Sequence, residues 1–380
     1  MRIAFSGLAA LAVAMGIGRF AFTPLLPMMQ QDAGLALAQG GWLASANYVG
    51  YLVGALTAVA LRMGPPRAIR LGLALVALST VAMGVTHAMG AWLALRFAAG
   101  VASAWVLVFA SAWCLEQFQR GAAEDRRALL SATVFSGVGI GIAVTGVVCV
   151  LLLLRGASSA TTWIALGVLA LVVSASIWGS FGAERAAPSA SQTRGEGWNT
   201  DFSRMVLCYG AFGFGYIIPA TFLSTMAREA LPDPAVYGWS WPVFGAAGAA
   251  STFVAAILRS YWSDRALWIL GHVVMAIGVA VPLLVHGMGG ILVSALLVGG
   301  TFMVVTMAGI QEARRVGGAR ARQLIAAMTS AFAAGQIAGP LAVSALAAHD
   351  GGFQTSLALA AALLVASAIA LTFRSRARAD

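Results

Sequence analysis

The chain carries very little charge for its length. Only 9% of its 380 residues are charged, it has no lysine, and all 23 basic residues are arginine. A soluble globular protein has about 25% charged residues. The chain is 60% hydrophobic with a mean hydropathy of +0.88. It therefore holds more apolar surface than one water-soluble core can bury, and we expect lipid to be the solvent for most of it.

Residues that usually build catalytic or metal centres are also scarce. The three cysteines have no CxxC spacing and the four histidines are scattered, which argues against a disulfide framework and a metal site. The run SGVGIGIAVTG (136–146) has no preceding strand and no lysine, so it predicts close helix packing and not a phosphate-binding loop. No nucleophile–base arrangement stands out. We expect no enzymatic activity, no cofactor and no metal.

The net charge of +10 does not indicate a nucleic-acid partner. Nucleic-acid recognition needs basic residues gathered on one soluble face. In this chain the arginines lie in short clusters between long apolar runs. The expected surroundings are therefore the lipid bilayer and a small-molecule partner.

Twelve apolar runs are long enough to cross a membrane. A window of about 19 residues places them at about 3–27, 40–61, 68–87, 90–114, 129–153, 160–181, 203–226, 236–258, 267–286, 290–311, 324–347 and 355–373. The first run continues past a signal-like start, so we predict an uncleaved first helix.

Arginine placement predicts the orientation. With the N-terminus inside, 19 of the 23 arginines fall on the inner side, only Arg155 and Arg228 on the outer side, and Arg19 and Arg96 within spans. This asymmetry follows the positive-inside rule. We predict a multi-pass protein of the bacterial inner membrane with both termini cytoplasmic. The polar run 182–202 predicts a cytoplasmic linker between an N-terminal six-helix bundle (1–181) and a C-terminal one (203–380).

The two predicted bundles resemble each other in sequence. AMGIGRFAFTP (14–24) and AFGFGYIIPAT (211–221) share the spacing A-x-G-x-G, which aligns Arg19 with Tyr216. Internal repeats of this kind are typical of transporters, whose sites lie at the repeat interface. The predicted fold class is an all-α membrane protein with twelve transmembrane helices in two pseudo-symmetric six-helix bundles.

Arg19 is the first candidate site residue. It lies about 24 Å along the first predicted helix, where a charged side chain costs about 2.5–3.5 kcal/mol. Three interpretations stay open: the guanidinium binds an anionic ligand, it extends to the outer surface, or it bonds carbonyls that Pro24 and Pro27 release. No acidic residue lies at the centre of a span, so we expect no internal ion pair.

Three further polar residues lie within predicted spans. Arg96 could hold an anion together with Arg19, since guanidinium suits carboxylate or phosphate, but we favour bonds to neighbouring helix carbonyls. Asn47 and Gln336 lie among small residues, and for both we favour interhelical hydrogen bonds over substrate binding.

Candidates for proton coupling are few. Glu116, Glu312 and His272 lie near the inner ends of their predicted helices, where interfacial residues are more frequent than proton relays. A coupling proton is left open.

Several segments together resemble the major facilitator superfamily, and within it the YbfB/YjiJ-type branch. They are GIGRFAFTPLLPMM, WLASANYVGYLVGAL, YGAFGFGYIIPATFLSTMAR and GQIAGP. RFAAG resembles the family's arginine motif, with Arg96 as its arginine. The resemblance implies a two-bundle fold with alternating access, in which helices 1, 4, 7 and 10 line a central cavity. That fold would place Arg19, Arg96 and Tyr216 in the cavity.

The resulting prediction is a secondary active transporter that moves a small, anionic organic solute across the inner membrane. Two alternatives stay open: an efflux pump for drugs or metabolites with the same fold, and a membrane sensor that transports nothing. We expect a monomer. The candidate substrate-binding residues are Arg19, Arg96, Tyr216, Asn47 and Gln336.

Overall fold

The computed structural model describes residues 1–60, 63–121, 124–181, 199–231, 233–350 and 353–373. Within these ranges the chain is helical with short connections, and they contain no strand, as the predicted fold class requires. Residues 182–198 of the predicted linker lie outside the described ranges. The α-helices are α1 (Arg2–Leu11), α2 (Phe22–Asp32), α3 (Leu37–Ala60), α4 (Pro65–Val85), α5 (Met89–Gly121), α6 (Glu124–Leu154), α7 (Ser159–Ile177), α8 (Thr200–Ala230), α9 (Pro234–Tyr237), α10 (Ser240–Leu258), α11 (Asp264–Leu284), α12 (Met288–Gly317), α13 (Ala321–Asp350) and α14 (Gln354–Thr372).

Eleven helical stretches in the described ranges are long and apolar enough to cross a bilayer. The first, Arg2–Asp32, combines α1, a π-helical segment (Ala12–Ile17) and α2. Another, Pro234–Leu258, combines α9 and α10. The predicted second crossing corresponds to α3, which has 24 residues but is not among the eleven.

Polar side chains fix where several helices begin. The side chains of Ser158, Asn199 and Ser263 accept a hydrogen bond from the backbone N–H three residues later, at the starts of α7, α8 and α11. These caps satisfy N–H groups that the first helical turn leaves without a partner. Helix α8 therefore begins at Thr200, three residues before the predicted span.

Helices from before and after the predicted linker pack against each other along three contacts. The N-terminal helices (α1–α7) contact the C-terminal helices (α8–α14) chiefly through α3 on α13, α6 on α10 and α2 on α8. In the α6–α10 contact a Cβ on Gly139 would lie 2.2 Å from the backbone nitrogen of Ala249. This is backbone-to-backbone packing, so the glycine run 136–146 is a helix-packing surface as predicted.

The two sets of helices meet differently at the two ends of the molecule. At the arginine-poor end, where α2 ends and α3 begins, Arg228 Nη1 donates to the Pro27 carbonyl at 2.6 Å and Nη2 to Gln30 Oε1 at 2.8 Å. There Ser344 Oγ also donates to the Ala38 carbonyl at 3.1 Å. At the opposite, arginine-rich end a cavity of about 360 Å³ is lined by residues of α5, α6, α10 and α12, and beside it Thr252 Oγ1 donates to the Ala132 carbonyl at 3.4 Å. Both ends therefore carry contacts between the two sets, and the arginine-rich end also holds a cavity.

Candidate functional site

The candidate site is built on an interruption in the first crossing helix. The chain is π-helical from Ala12 to Ile17 and forms a turn over residues 18–21 before α2 begins. Gly16 permits this segment to approach α6, since a Cβ there would lie 2.3 Å from the backbone carbon of Gly141. The turn takes the Gly18 and Arg19 carbonyls out of regular helix, so both need other donors.

Arg96 and Asn47 supply those donors. Arg96 Nη2 donates to the Arg19 carbonyl at 3.0 Å and Nη1 to the Gly18 carbonyl at 3.4 Å. Asn47 Nδ2 donates to the Arg96 carbonyl at 2.8 Å and to the Gly18 carbonyl at 3.3 Å. Both side chains are buried. These are the interhelical bonds that we favoured for the two residues, and a direct role in substrate binding stays a prediction.

The guanidinium of Arg19 lies in the protein interior. The side chain is 3% exposed, so it does not extend to the surface. Its Nη2 donates to Gln336 Oε1 at 2.5 Å, and not to the carbonyls that Pro24 and Pro27 release. The ring centroids of Phe20, Tyr48 and Tyr51 lie 5.0, 5.3 and 4.1 Å from its central carbon. Aromatic faces stabilise the charge only in part, and Arg19 Nε has no hydrogen-bond partner.

Gln336 joins Arg19 to Tyr216. Its Nε2 donates to the Tyr216 hydroxyl, while its Oε1 accepts from Arg19. The Tyr216 ring stacks between Phe302 and Phe332, with centroids 5.9 and 5.7 Å away and interplanar angles of 5° and 7°. Arg19 and Tyr216, which the sequence repeat aligns, thus both form hydrogen bonds with the Gln336 side chain of α13. Together with Arg96 and Asn47, all five candidate residues form one connected buried network.

The aromatic and hydroxyl residues around this network were not among the residues predicted from the sequence. The Tyr48 hydroxyl is 3.0 Å from Thr221 Oγ1, and Thr23 Oγ1 donates to the Ala220 carbonyl at 2.6 Å. Both contacts join N-terminal to C-terminal helices. The available signal was the position of Tyr48 and Tyr51 one and four residues after Asn47, which places them on or beside its helix face.

The site is positively charged without an acidic partner. Over the described residues, no aspartate or glutamate forms an ion pair with Arg19 or Arg96. Acidic side chains pair instead near the arginine-rich end, where Glu312 lies 2.7 Å from Arg315 and 3.6 Å from Arg265. A buried cation with a neutral amide acceptor and ring faces around it, and with no acidic partner in the described ranges, is incompletely compensated. The arrangement suits a bound anion.

Long apolar helices around a buried polar network are the architecture of a multi-pass membrane transporter. The chain belongs to the family described as uncharacterised MFS-type transporter YbfB, whose model matches residues 11–372. This confirms the family resemblance of the sequence. No curated protein matches the chain. As a member of this family, the protein is a membrane transporter with a small-molecule substrate.

Proposed function

We propose that the protein is a secondary active transporter that moves a small organic anion across the bacterial inner membrane by alternating access. Arg19 binds the acid group of the substrate. The observation that carries this proposal is the buried Arg19 guanidinium, whose Nη2 bonds the neutral Gln336 side chain and whose Nε has no partner among the described residues. A carboxylate would supply the missing counter-charge and accept from the guanidinium fork.

The bound anion would contact both sets of helices. Arg19 lies between the π-helical segment and α2, whereas Gln336 and Tyr216 lie on α13 and α8. An acid group on Arg19 competes with Gln336 Oε1 for the same donors, so binding changes the contact between the two sets. That coupling is what alternating access needs. Arg96 and Asn47 act as positioning residues, because their donors are bonded to backbone carbonyls.

We infer that α3 supplies a twelfth crossing, which gives two six-helix bundles. Its 24 residues rise about 36 Å at 1.5 Å per residue, more than the roughly 30 Å of a hydrocarbon core. It packs between α5 and α13, away from much of the lipid, so it needs less apolar sequence. With the predicted arginine-rich side in the cytoplasm, the cavity opens to the cytoplasm and the contacts of Arg228 close the periplasmic side.

The test is uptake of labelled organic acids into proteoliposomes under a pH gradient. We expect the wild type to move at least one monocarboxylate and Arg19→Ala to abolish that flux. Arg19→Lys keeps the charge but loses the fork, so it should also transport poorly. Arg155→Ala is the matched control, since it removes one exposed positive charge at the arginine-poor end, and it should transport normally.

Two outcomes would overturn the proposal. Unchanged anion flux in Arg19→Ala would remove the ligand role of that residue. Wild-type vesicles that move no member of a broad solute panel would favour a sensor, whereas flux of neutral or cationic amphipaths alone would favour drug efflux.

A further inference from the structure

The cavity at the arginine-rich end is a separate chemical environment from the Arg19 network. Its volume is about 360 Å³, within the range of about 300–1,000 Å³ typical of small-molecule sites. Its walls come from α5 and α6 on one side and α10 and α12 on the other. None of the five residues of the buried network lines it.

Three arginines from three helices line this cavity. They are Arg127 of α6, Arg259 at the C-terminal cap of α10 and Arg314 of α12. Arg259 Nε donates to Asp264 Oδ1 at 2.8 Å, which offsets one positive charge, and Arg127 Nη2 donates to the Gln119 carbonyl at 3.3 Å. Arg314 is therefore the arginine on which the positive charge of the cavity chiefly depends. The described residues that line the cavity include no aspartate or glutamate. The cavity therefore has a positive rim that favours anions.

The remaining lining is largely apolar. Phe135 faces the cavity from α6, and Met303 and Met307 face it from α12. Methionine side chains are flexible and polarizable, so they adapt to ligands of different shape. Met303 directly follows Phe302, whose ring stacks on Tyr216, so α12 contributes to both the cavity and the surroundings of the buried network.

We propose that this cavity is a second binding site, for an amphipathic organic anion. The acid group binds Arg314 with Arg127 and Arg259, and the hydrocarbon part lies against Phe135, Met303 and Met307. The charge and the apolar wall each select one part of such a ligand, and the ligand spans α5–α6 and α10–α12. The same chemistry belongs to a soluble medium-chain acid and to the head region of an anionic lipid.

Binding of radiolabelled decanoate to the full-length protein in phosphatidylcholine nanodiscs tests the site. Arg314 is exposed, so Arg314→Gln should leave the fold intact, which size-exclusion and thermal unfolding can verify. Loss of one charged hydrogen bond should weaken decanoate binding roughly tenfold. Arg120→Gln is the matched control, because Arg120 is an exposed arginine at the same end that pairs with Glu116 and does not line the cavity. It should bind decanoate as the wild type does.

A second variant tests the apolar wall. Met307→Asn keeps every arginine but replaces apolar contact with an amide, so it should also weaken decanoate binding. Capture of decanoate should fall as salt rises, whereas capture of the neutral decanol should be weaker and independent of Arg314.

The two sources of the anion are separated by lipid composition. If phosphatidylglycerol in the nanodiscs competes with decanoate in the wild type but not in Arg314→Gln, an anionic lipid fills the site. If it does not compete, the ligand is the soluble acid. Equal decanoate affinity in the wild type, Arg314→Gln and Met307→Asn would overturn the proposal. Loss of decanoate binding in Arg19→Ala alone would also overturn it, since the acid would then occupy the central site.

Discussion

Gln336→Glu would place a carboxylate directly on Arg19. The Gln336 amide oxygen lies 2.5 Å from Arg19 Nη2, so the isosteric glutamate reaches the same position with a negative charge. If Arg19 is the partner of an anionic substrate, this internal carboxylate competes with it. We expect the variant to fold and to transport organic anions with a lower apparent affinity.

The size of the effect follows from the change in bond type. The Arg19–Gln336 bond has a charged donor and a neutral acceptor. A glutamate adds the attraction between two unit charges, about 4 kcal/mol at about 4 Å and an effective dielectric constant of about 20, and burial of the carboxylate offsets part of it. The substrate must then displace a contact that is about 1–2 kcal/mol stronger, which lowers its apparent affinity roughly 5- to 30-fold. The assay is concentration-dependent uptake in proteoliposomes, with thermal unfolding measured in parallel.

Tyr216→Phe is the control for this prediction. It removes the hydroxyl that accepts from Gln336 Nε2 but leaves the Arg19–Gln336 contact in place, so the apparent affinity should change only a few-fold. Wild-type affinity in Gln336→Glu, with correct folding, would refute the idea that Arg19 is held ready for an anion.

Three further predictions concern the structure around the site. Arg96→Leu leaves the Gly18 and Arg19 carbonyls without these donors and should destabilise the protein by about 2–4 kcal/mol, seen as a lower thermal midpoint; an unchanged midpoint would contradict the positioning role. Gly16→Val should fold poorly, because even a Cβ would lie 2.3 Å from α6; normal expression and a normal midpoint would argue against the close contact. Arg228→Ala removes two hydrogen bonds at the arginine-poor end. In a cysteine-free background that carries Thr23→Cys, this change should raise the rate of maleimide labelling of the new cysteine roughly tenfold. Equal labelling rates would show that Arg228 does not hold this end closed.

Composition and periodicity were enough to predict an all-helical membrane protein and part of the site. The strongly apolar composition predicts long helices that cross a membrane. A buried polar residue among small residues predicts a hydrogen bond between helices. Asn47 and Gln336 do form such bonds. Arg96 forms the predicted bonds to helix carbonyls for the same reason, since the interior offers few other acceptors.

Other features depend on pairings that one sequence does not specify. The π-helical segment Ala12–Ile17 arises where α6 approaches through glycine, and no local pattern encodes that contact. From the sequence alone, the aromatic residues around Arg19 could equally have faced lipid, because tyrosine is also common at the membrane–water interface. Helix α3 stands out as an apolar run in the sequence but is not among the eleven apolar stretches of the described residues, and part of its surface packs on α5 and α13.

The two buried arginines have different hydrogen-bond partners, and in the proposed function this difference leaves only Arg19 available to a ligand. Arg96 and Arg19 are both buried and lack an acidic partner within the described ranges. The Nη atoms of Arg96 donate to the carbonyls that the interrupted helix exposes. These bonds hold the backbone that carries the Arg19 side chain. Arg19 Nη2 bonds the neutral Gln336 amide from the other set of helices, and in the proposed function a carboxylate replaces this contact. In the proposed function, the interruption in the first helix, Arg96 and the Gln336 contact therefore act together to present the Arg19 cation to a substrate.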